Sequence, residues 1–292
     1  MVDNGGVRLR VTVEGPEEGP PVLFVHGLSS SLETWDWLPP EVTEGRRIIR
    51  LDLRGHGGSD HTPDAYRLDR YASDALAVLR ETTTEPAVYV GHSLGGSVGW
   101  WLAQSHPELL RAALLEDPPL YYGDAAEHAS RHNLQLMYGI RETARAWQQE
   151  GADPRAKAEE LARQRASGRS APGEPAPTWG ELIDPADLLA DTRAVMTLDP
   201  ETMTAMADRT TLTGTDVAAP ISIPVLIVAA GLETSFPEKH ERRLAETHPE
   251  IEVLRVEGAG HAVHLERPHR PLFVRTLAEF LDRHAPVGAG SV

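Results

Sequence analysis

The segment Val88-Tyr-Val-Gly-His-Ser-Leu-Gly-Gly96 constrains this chain more than any other, because it sets one serine between two glycines directly after an apolar run. Val88, Tyr89 and Val90 predict the end of a buried strand, and Ser97 to Ser105 predict the helix that follows. Ser93 then stands at a strand-to-helix corner, a nucleophile elbow. Such a corner forces the serine into a strained backbone conformation, so the residues two before and two after it must be small; here they are Gly91 and Gly95. The same geometry turns the amide of Leu94 toward the serine and places a helix N-terminus behind it, where developing negative charge is favoured.

Around that corner, apolar runs alternate with helical stretches, the pattern of a mostly parallel sheet covered on both faces. Arg8 to Glu14 predicts an edge strand. Val22 to Val25, Arg47 to Leu51, Ala87 to Val90, Ala112 to Leu115, Val225 to Val228 and Val253 to Val256 predict six more. Helices are expected over 68–81, 97–105, 238–247 and 272–284. From about 121 to 213 the alternation stops. Helical stretches are expected there over 125–138, 143–149, 155–165 and 185–195, with a Pro- and Gly-rich surface loop over 167–178. The fold class is α/β: a twisted, mostly parallel sheet with helices on both faces, formed by residues 1–120 and 213–292, with a helical cap inserted over 121–212.

The chain has 28 Lys and Arg against 44 Asp and Glu, a net charge of −16. That balance argues against nucleic acid or an anionic membrane as partner, since both demand a basic surface. With no cysteine, disulfides, thiolate nucleophiles and Cys-ligated metals are excluded. The N-terminus lacks a basic segment followed by an apolar core, and no apolar run approaches the ~18 residues of a membrane span. A cytoplasmic location is the expectation. Oligomeric state is open, and a homodimer is compatible with the chain.

Four motifs in register resemble the α/β-hydrolase superfamily. Beside the serine corner, Val22-Leu-Phe-Val-His-Gly-Leu28 resembles the strand and His-Gly turn that supply a second oxyanion-hole amide, here that of Leu28. Asp52-Leu-Arg-Gly-His-Gly-Gly-Ser59 resembles the Gly-rich loop after the next parallel strand. Gly258-Ala-Gly-His-Ala-Val-His-Leu-Glu-Arg-Pro268 resembles the loop of the catalytic histidine, which the resemblance assigns to His261. It covers roughly the first 120 residues and the last 75. The implied activity is acyl transfer: Ser93 attacks an ester or lactone, His261 takes its proton, and the amides of Leu28 and Leu94 hold the oxyanion. No cofactor and no metal are implied, and the partner is a small-molecule substrate. Cofactor-free haloperoxidases, hydroxynitrile lyases, ring-cleavage hydrolases and ligand-binding modules share the same corner and stand as alternatives.

A histidine in that role needs a carboxylate on its other nitrogen. Glu233 is placed first, because it follows the strand Val225 to Val228 where the family presents its acid, although the family more often has Asp there. Glu116, at the end of the preceding core strand, is the alternative acid, as in lactonases acting on zearalenone-like macrolactones; Asp117 is the other candidate. His26, His56 and His92 are expected to orient backbone. His240 and His248, with five others, are expected on solvated surfaces. Within the cap, Tyr121, Met137 and Trp179 are the candidate substrate-binding residues, though side chains of this kind more often pack a cap onto its core.

Overall fold

The computed structural model describes residues 1–124, 127, 131–169 and 175–288. Nine strands are numbered in chain order: β1 (Val2–Asn4), β2 (Val7–Leu9), β3 (Val11–Glu14), β4 (Pro21–Val25), β5 (Arg47–Leu51), β6 (Ala87–His92), β7 (Leu110–Glu116), β8 (Val225–Ala230) and β9 (Glu252–Val256). β1 and β2 form a separate hairpin. The other seven form one sheet in the order β3-β5-β4-β6-β7-β8-β9, antiparallel only where β3 meets β5. β4, β6 and β8 are buried at every residue, as near-continuous apolar runs require when helices cover both faces.

The edge strand expected over 8–14 is two strands, β2 and β3. They part at Arg10, whose amide donates to Ser59 Oγ at 2.8 Å while its carbonyl accepts from the Asp52 amide at 3.0 Å. Those bonds tie the edge of the sheet to the Gly-rich loop.

On one face lie α2 (Leu68–Thr82) and α3 (Leu94–Ser105), with Leu23, Tyr89, Trp100 and Leu115 in the core. On the other lie α1 (Pro40–Thr43) and α10 (Arg270–His284), with Phe24, Val88, Leu114 and Phe273. Successive strand residues feed the two cores alternately. α9 (Glu238–Thr247) links β8 to β9. α3 begins at Leu94, one residue after the serine and three before the expected start, so the corner has no slack.

Between β7 and β8 the chain leaves the sheet and forms α4 (Arg131–Glu150), α5 (Pro154–Arg163), α6 (Trp179–Leu182), α7 (Pro185–Thr197) and α8 (Glu201–Ala207). α4 is one helix where two were expected, because Arg141 and Glu142 carry it past Gly139 at a cost of about 1 kcal/mol. Part of the 125–138 stretch and residues 170–174 of the 167–178 loop lie outside the described residues. Among the described residues no helix is long and apolar enough to cross a membrane.

Candidate active site

The candidate catalytic groups stand at or beyond the C-terminal ends of parallel strands. Ser93 follows β6, Glu116 ends β7 with Asp117 next, the His-Gly turn follows β4, and His261 follows β9. Open α/β sheets place ligands at that edge. Ser93 has φ +51°, a conformation rare outside glycine. It is tolerated because the neighbours leave no other path. A Cβ on Gly91 would lie 2.4 Å from the Gly95 carbonyl oxygen, and one on Gly95 would lie 2.4 Å from that of Val25. The Ser93 amide donates to the Glu116 carbonyl at 2.8 Å, which ties the corner to the end of β7.

Two peptide units are aimed by what holds their carbonyls. The Ser93 carbonyl accepts from Ser97 N at 3.0 Å, so the N–H of the same trans peptide, that of Leu94, points the opposite way. The Gly27 carbonyl is bonded by His26 Nδ1 at 2.7 Å, while His26 Nε2 accepts from Leu53 N at 3.1 Å. That pair of bonds fixes the neutral tautomer of His26, whose pKa burial lowers, and with it the direction of the Leu28 N–H. Among the described residues neither the Leu28 nor the Leu94 N–H has a partner. Asp52 braces the turn beyond, accepting Leu32 N at 2.7 Å and Gly58 N at 2.8 Å. His26 thus orients backbone as expected, and Asp52 braces the same region.

The carboxylate on His261 belongs to Asp117. His261 Nδ1 lies 2.6 Å from Asp117 Oδ2. Ser235 N donates to the same oxygen at 2.7 Å, while Ala230 N at 3.1 Å and Thr234 Oγ1 at 2.5 Å donate to Oδ1. Burial works to raise the Asp117 pKa, yet the bond to His261 and its charge, with the Thr234 hydroxyl and Ser235 amide, hold it below the usual aspartate range. Burial likewise opposes charge on His261, and the Asp117 bond and charge outweigh it and raise the imidazole pKa.

Glu233, placed first from sequence, does not reach His261. Its loop wraps Asp117 with peptide and hydroxyl donors, and its own side chain is 39% exposed and 4.0 Å from Arg169. Glu116 does not reach His261 either. Its carboxylate bonds His264, Oε1 to the amide at 2.9 Å and Oε2 to Nδ1 at 2.7 Å. At φ +44°, entering the Pro-Pro turn, the position after β7 is better tolerated as Asp than as Glu.

Three further connections surround these groups. His92 Nε2 donates to the His261 carbonyl at 3.1 Å. Glu266 accepts the amide of Gly260, the residue before His261, and forms a bidentate pair with Arg169 at 2.5 and 2.7 Å. Thr34 Oγ1 lies 3.0 Å from His264 Nε2. Neither Ser93 Oγ nor His261 Nε2 has a hydrogen-bond partner among the described residues.

Of the expected substrate-binding residues, Met137 packs against the cluster of Ala144, Leu198 and Met203, as does Leu28 of the His-Gly turn. Trp179 shares a cluster with Leu265 and Ala262, the residue after His261. Tyr121 is 4% exposed, and its ring packs against His240 at 4.8 Å and the Arg243 guanidinium at 4.2 Å. His240 and His248, expected at the surface, are buried as well.

A family model described as alpha/beta hydrolase fold matches residues 20–268. The AB hydrolase superfamily protein YfhM of Bacillus subtilis (strain 168) is 34% identical over 122 residues, 41% of this chain and 43% of YfhM, so the match spans less than half of that relative. The sn-1-specific diacylglycerol lipase ABHD11 of Mus musculus is 25% identical over 272 residues, 92% of this chain and 83% of that protein. Among solved structures, Est816, described as an N-acyl homoserine lactone degrading enzyme, superposes with a TM-score of 0.68 at 24% identity, over 96% of this chain and 99% of its own; at that identity the likeness concerns the fold.

Proposed function

The chain belongs to the alpha/beta hydrolase fold family, and on that premise we propose that it is a serine hydrolase cleaving a carboxylic ester or lactone of a small, largely apolar substrate. The observation that carries this reading is the 2.6 Å bond between His261 Nδ1 and Asp117 Oδ2, with Ser93 at φ +51° on the adjoining strand end. In the reaction Ser93 Oγ attacks the acyl carbonyl while His261 Nε2 takes its proton. Asp117, ionised and bonded to Nδ1, holds the tautomer and stabilises the imidazolium. The oxyanion accepts from the amides of Leu28 and Leu94, each worth about 3 kcal/mol in the transition state. His261 returns its proton to the leaving oxygen, and water, deprotonated by His261, releases the acid.

The helices between β7 and β8 act as a cap over this site, with Met137 and Trp179 the residues through which it meets the reacting groups. Support for an apolar substrate comes from the Met137, Leu28 and Met203 cluster and from a net charge of −16, which disfavours anionic substrates. An ester reading is in line with the lipase relative, and a lactone reading with the name of Est816.

The test is labelling with a fluorophosphonate beside a Ser93→Ala control, read by intact mass and peptide mapping, followed by turnover of p-nitrophenyl acyl esters and simple lactones. Stoichiometric label on Ser93 with ester turnover is expected. A folded chain whose Ser93 neither labels nor supports turnover above the Ser93→Ala control would overturn the proposal.

A further inference from the structure

Beside Ser93, His261 and Asp117 the structure holds a second hydroxyl, imidazole and carboxylate chain that the reaction above does not use. Thr34 Oγ1, His264 and Glu116 are joined at 3.0 and 2.7 Å. Thr34 is 2% exposed, and His264 and Glu116 are fully buried. Glu116 immediately precedes Asp117, and His264 follows His261 by three residues. The two carboxylates at the end of β7 therefore each hold one imidazole of the same loop. His92, opposite Glu116 in the β6–β7 register, has its ring 4.8 Å from that of His261 and 5.0 Å from that of His264.

We propose that Glu116 and His264 are positioning residues for His261: their buried pair pins the histidine loop to the end of β7, and the Glu116 carboxylate adds its charge to that of Asp117 at the His261 imidazole. The function this serves rests on the hydrolase reading; the coupling to His261 does not. A metal ion held by His92, Glu116 and His264 is the competing use of the cluster, whose ligand atoms lie within 4.8 Å of one another. Both His264 nitrogens are already committed, one to Glu116 and one to Thr34, which favours the hydrogen-bonded pair.

The groups facing the pair are His92 from β6, Asp117 at the end of β7, His261 and Glu266 from the histidine loop, Arg270 from α10 and Asp187 from α7. Burial, against the attraction of His92, pushes Glu116 up to about 7. Burial, aided by Arg270, pushes His264 down to about 3. His264 is then neutral, donating from Nδ1 to Glu116 and accepting the Thr34 hydroxyl on Nε2. The charge felt by His261 changes near neutral pH, as Glu116 titrates within the coupled cluster.

Glu116→Gln removes that charge and keeps the bonds. The amide nitrogen can donate to His264 Nδ1 once the imidazole carries its proton on Nε2 and donates to Thr34. Histidine-selective NMR titration of the full chain reads His261 directly. In Glu116→Gln, His261 is expected to titrate roughly half a pH unit or more below wild type, with the acid limb of kcat/KM moved by the same amount. If the variant does not fold, the wild type decides: the His261 signal shows a second inflection as Glu116 titrates. An unmoved His261 in the folded variant, or a single inflection in the wild type, would overturn the proposal. Failure of Ser93 to label would sink the hydrolase reading and leave the NMR result standing.

Discussion

The imidazole of His92 donates from Nε2 to the backbone carbonyl of His261 at 3.1 Å. The residue beside Ser93 thus holds the main chain of His261, across 169 residues of sequence. Burial keeps His92 neutral by pushing its pKa down to about 3, so the donor persists throughout the neutral range. Gly27 closes the arrangement, since a Cβ there would lie 2.7 Å from His92 Nδ1 and 3.1 Å from the Ser93 Cβ.

Replacing the donor while keeping an aromatic ring isolates that tie. His92→Phe leaves the partly buried His261 carbonyl without its donor, a cost of roughly 1 kcal/mol or more. Ester turnover is expected to fall about tenfold in kcat with little change in KM, because loosened geometry acts on the reacting groups rather than on binding. His92→Gln, which can still donate, is expected to recover part of both losses. Equal kcat in all three proteins would show that the His92 bond has no part in placing His261.

The identity of the acid separates two single substitutions. Asp117→Asn keeps the shape of the site but cannot stabilise an imidazolium and favours the wrong tautomer, so kcat is expected to drop about 10³- to 10⁴-fold. Glu233→Gln, at a half-exposed side chain directed at Arg169, is expected to stay within about threefold of wild type, as surface charges at this range act weakly. Because Asp117 raises the His261 pKa and His261 must be neutral to act, wild-type kcat/KM is expected to fall as pH drops through a value above the ordinary 6.5 of histidine. Kinetics of the two variants and the wild-type pH profile check all three statements.

Ser93, Leu94, Gly91, Gly95 and the strands around them were legible because the chemistry that fixes them is local: a glycine-flanked corner between an apolar run and a helix admits few conformations. His26 was legible for the same reason, as part of a short turn. Asp117 was not, because what makes it the partner of His261 is a cradle assembled from Ala230, Thr234 and Ser235, more than a hundred residues away. Strand position alone favoured Glu233, whose loop instead supplies that cradle. The split of the edge strand at Arg10 and the burial of Tyr121 under Arg243 likewise depend on long-range partners that no sequence period records.

Arg169 and Glu266 give a stability prediction. Their side chains are 4% and 3% exposed, and Glu266 also bonds the Gly260 amide, so removing the arginine alone leaves a buried carboxylate without its cation. Arg169→Met is expected to destabilise the chain by about 3–5 kcal/mol. Adding Glu266→Gln, which keeps an acceptor for Gly260 without the charge, is expected to restore part of that loss. Urea denaturation of the two variants measures the difference, and a double variant less stable than the single one would contradict a buried charge as the cause.

Acid stability should fall in two stages. Burial holds His56, His92 and His264 near about 3 against an ordinary 6.5. Their neutral form is favoured by the fold, so the stability they confer is complete above pH 6.5 and is lost as pH falls toward 3. Burial raises Glu116 to about 7, and burial with the charge of Asp187 raises Asp191 to about 7. These two take up protons in the folded chain between about pH 7 and their ordinary range, which works the other way. Between pH 6.5 and 4.5 the unfolded chain therefore holds up to three more protons on these histidines and the folded chain two more on the acids, a net loss of about 1.4 kcal/mol per pH unit. Below pH 4.5 the acids of the unfolded chain also take up protons, so the compensation fades, and the slope from these groups rises to about 2.5 kcal/mol per unit before the folded histidines begin to titrate. Asp117, held below its ordinary range, adds to that second stage as pH falls through its folded value. Unfolding free energy measured from pH 7 to 3.5 should show the change of slope near 4.5, and Glu116→Gln, which removes one compensating proton, should steepen the first stage to about 2.7 kcal/mol per unit. One uniform slope in both proteins would mean that Glu116 is ionised in the fold throughout this range.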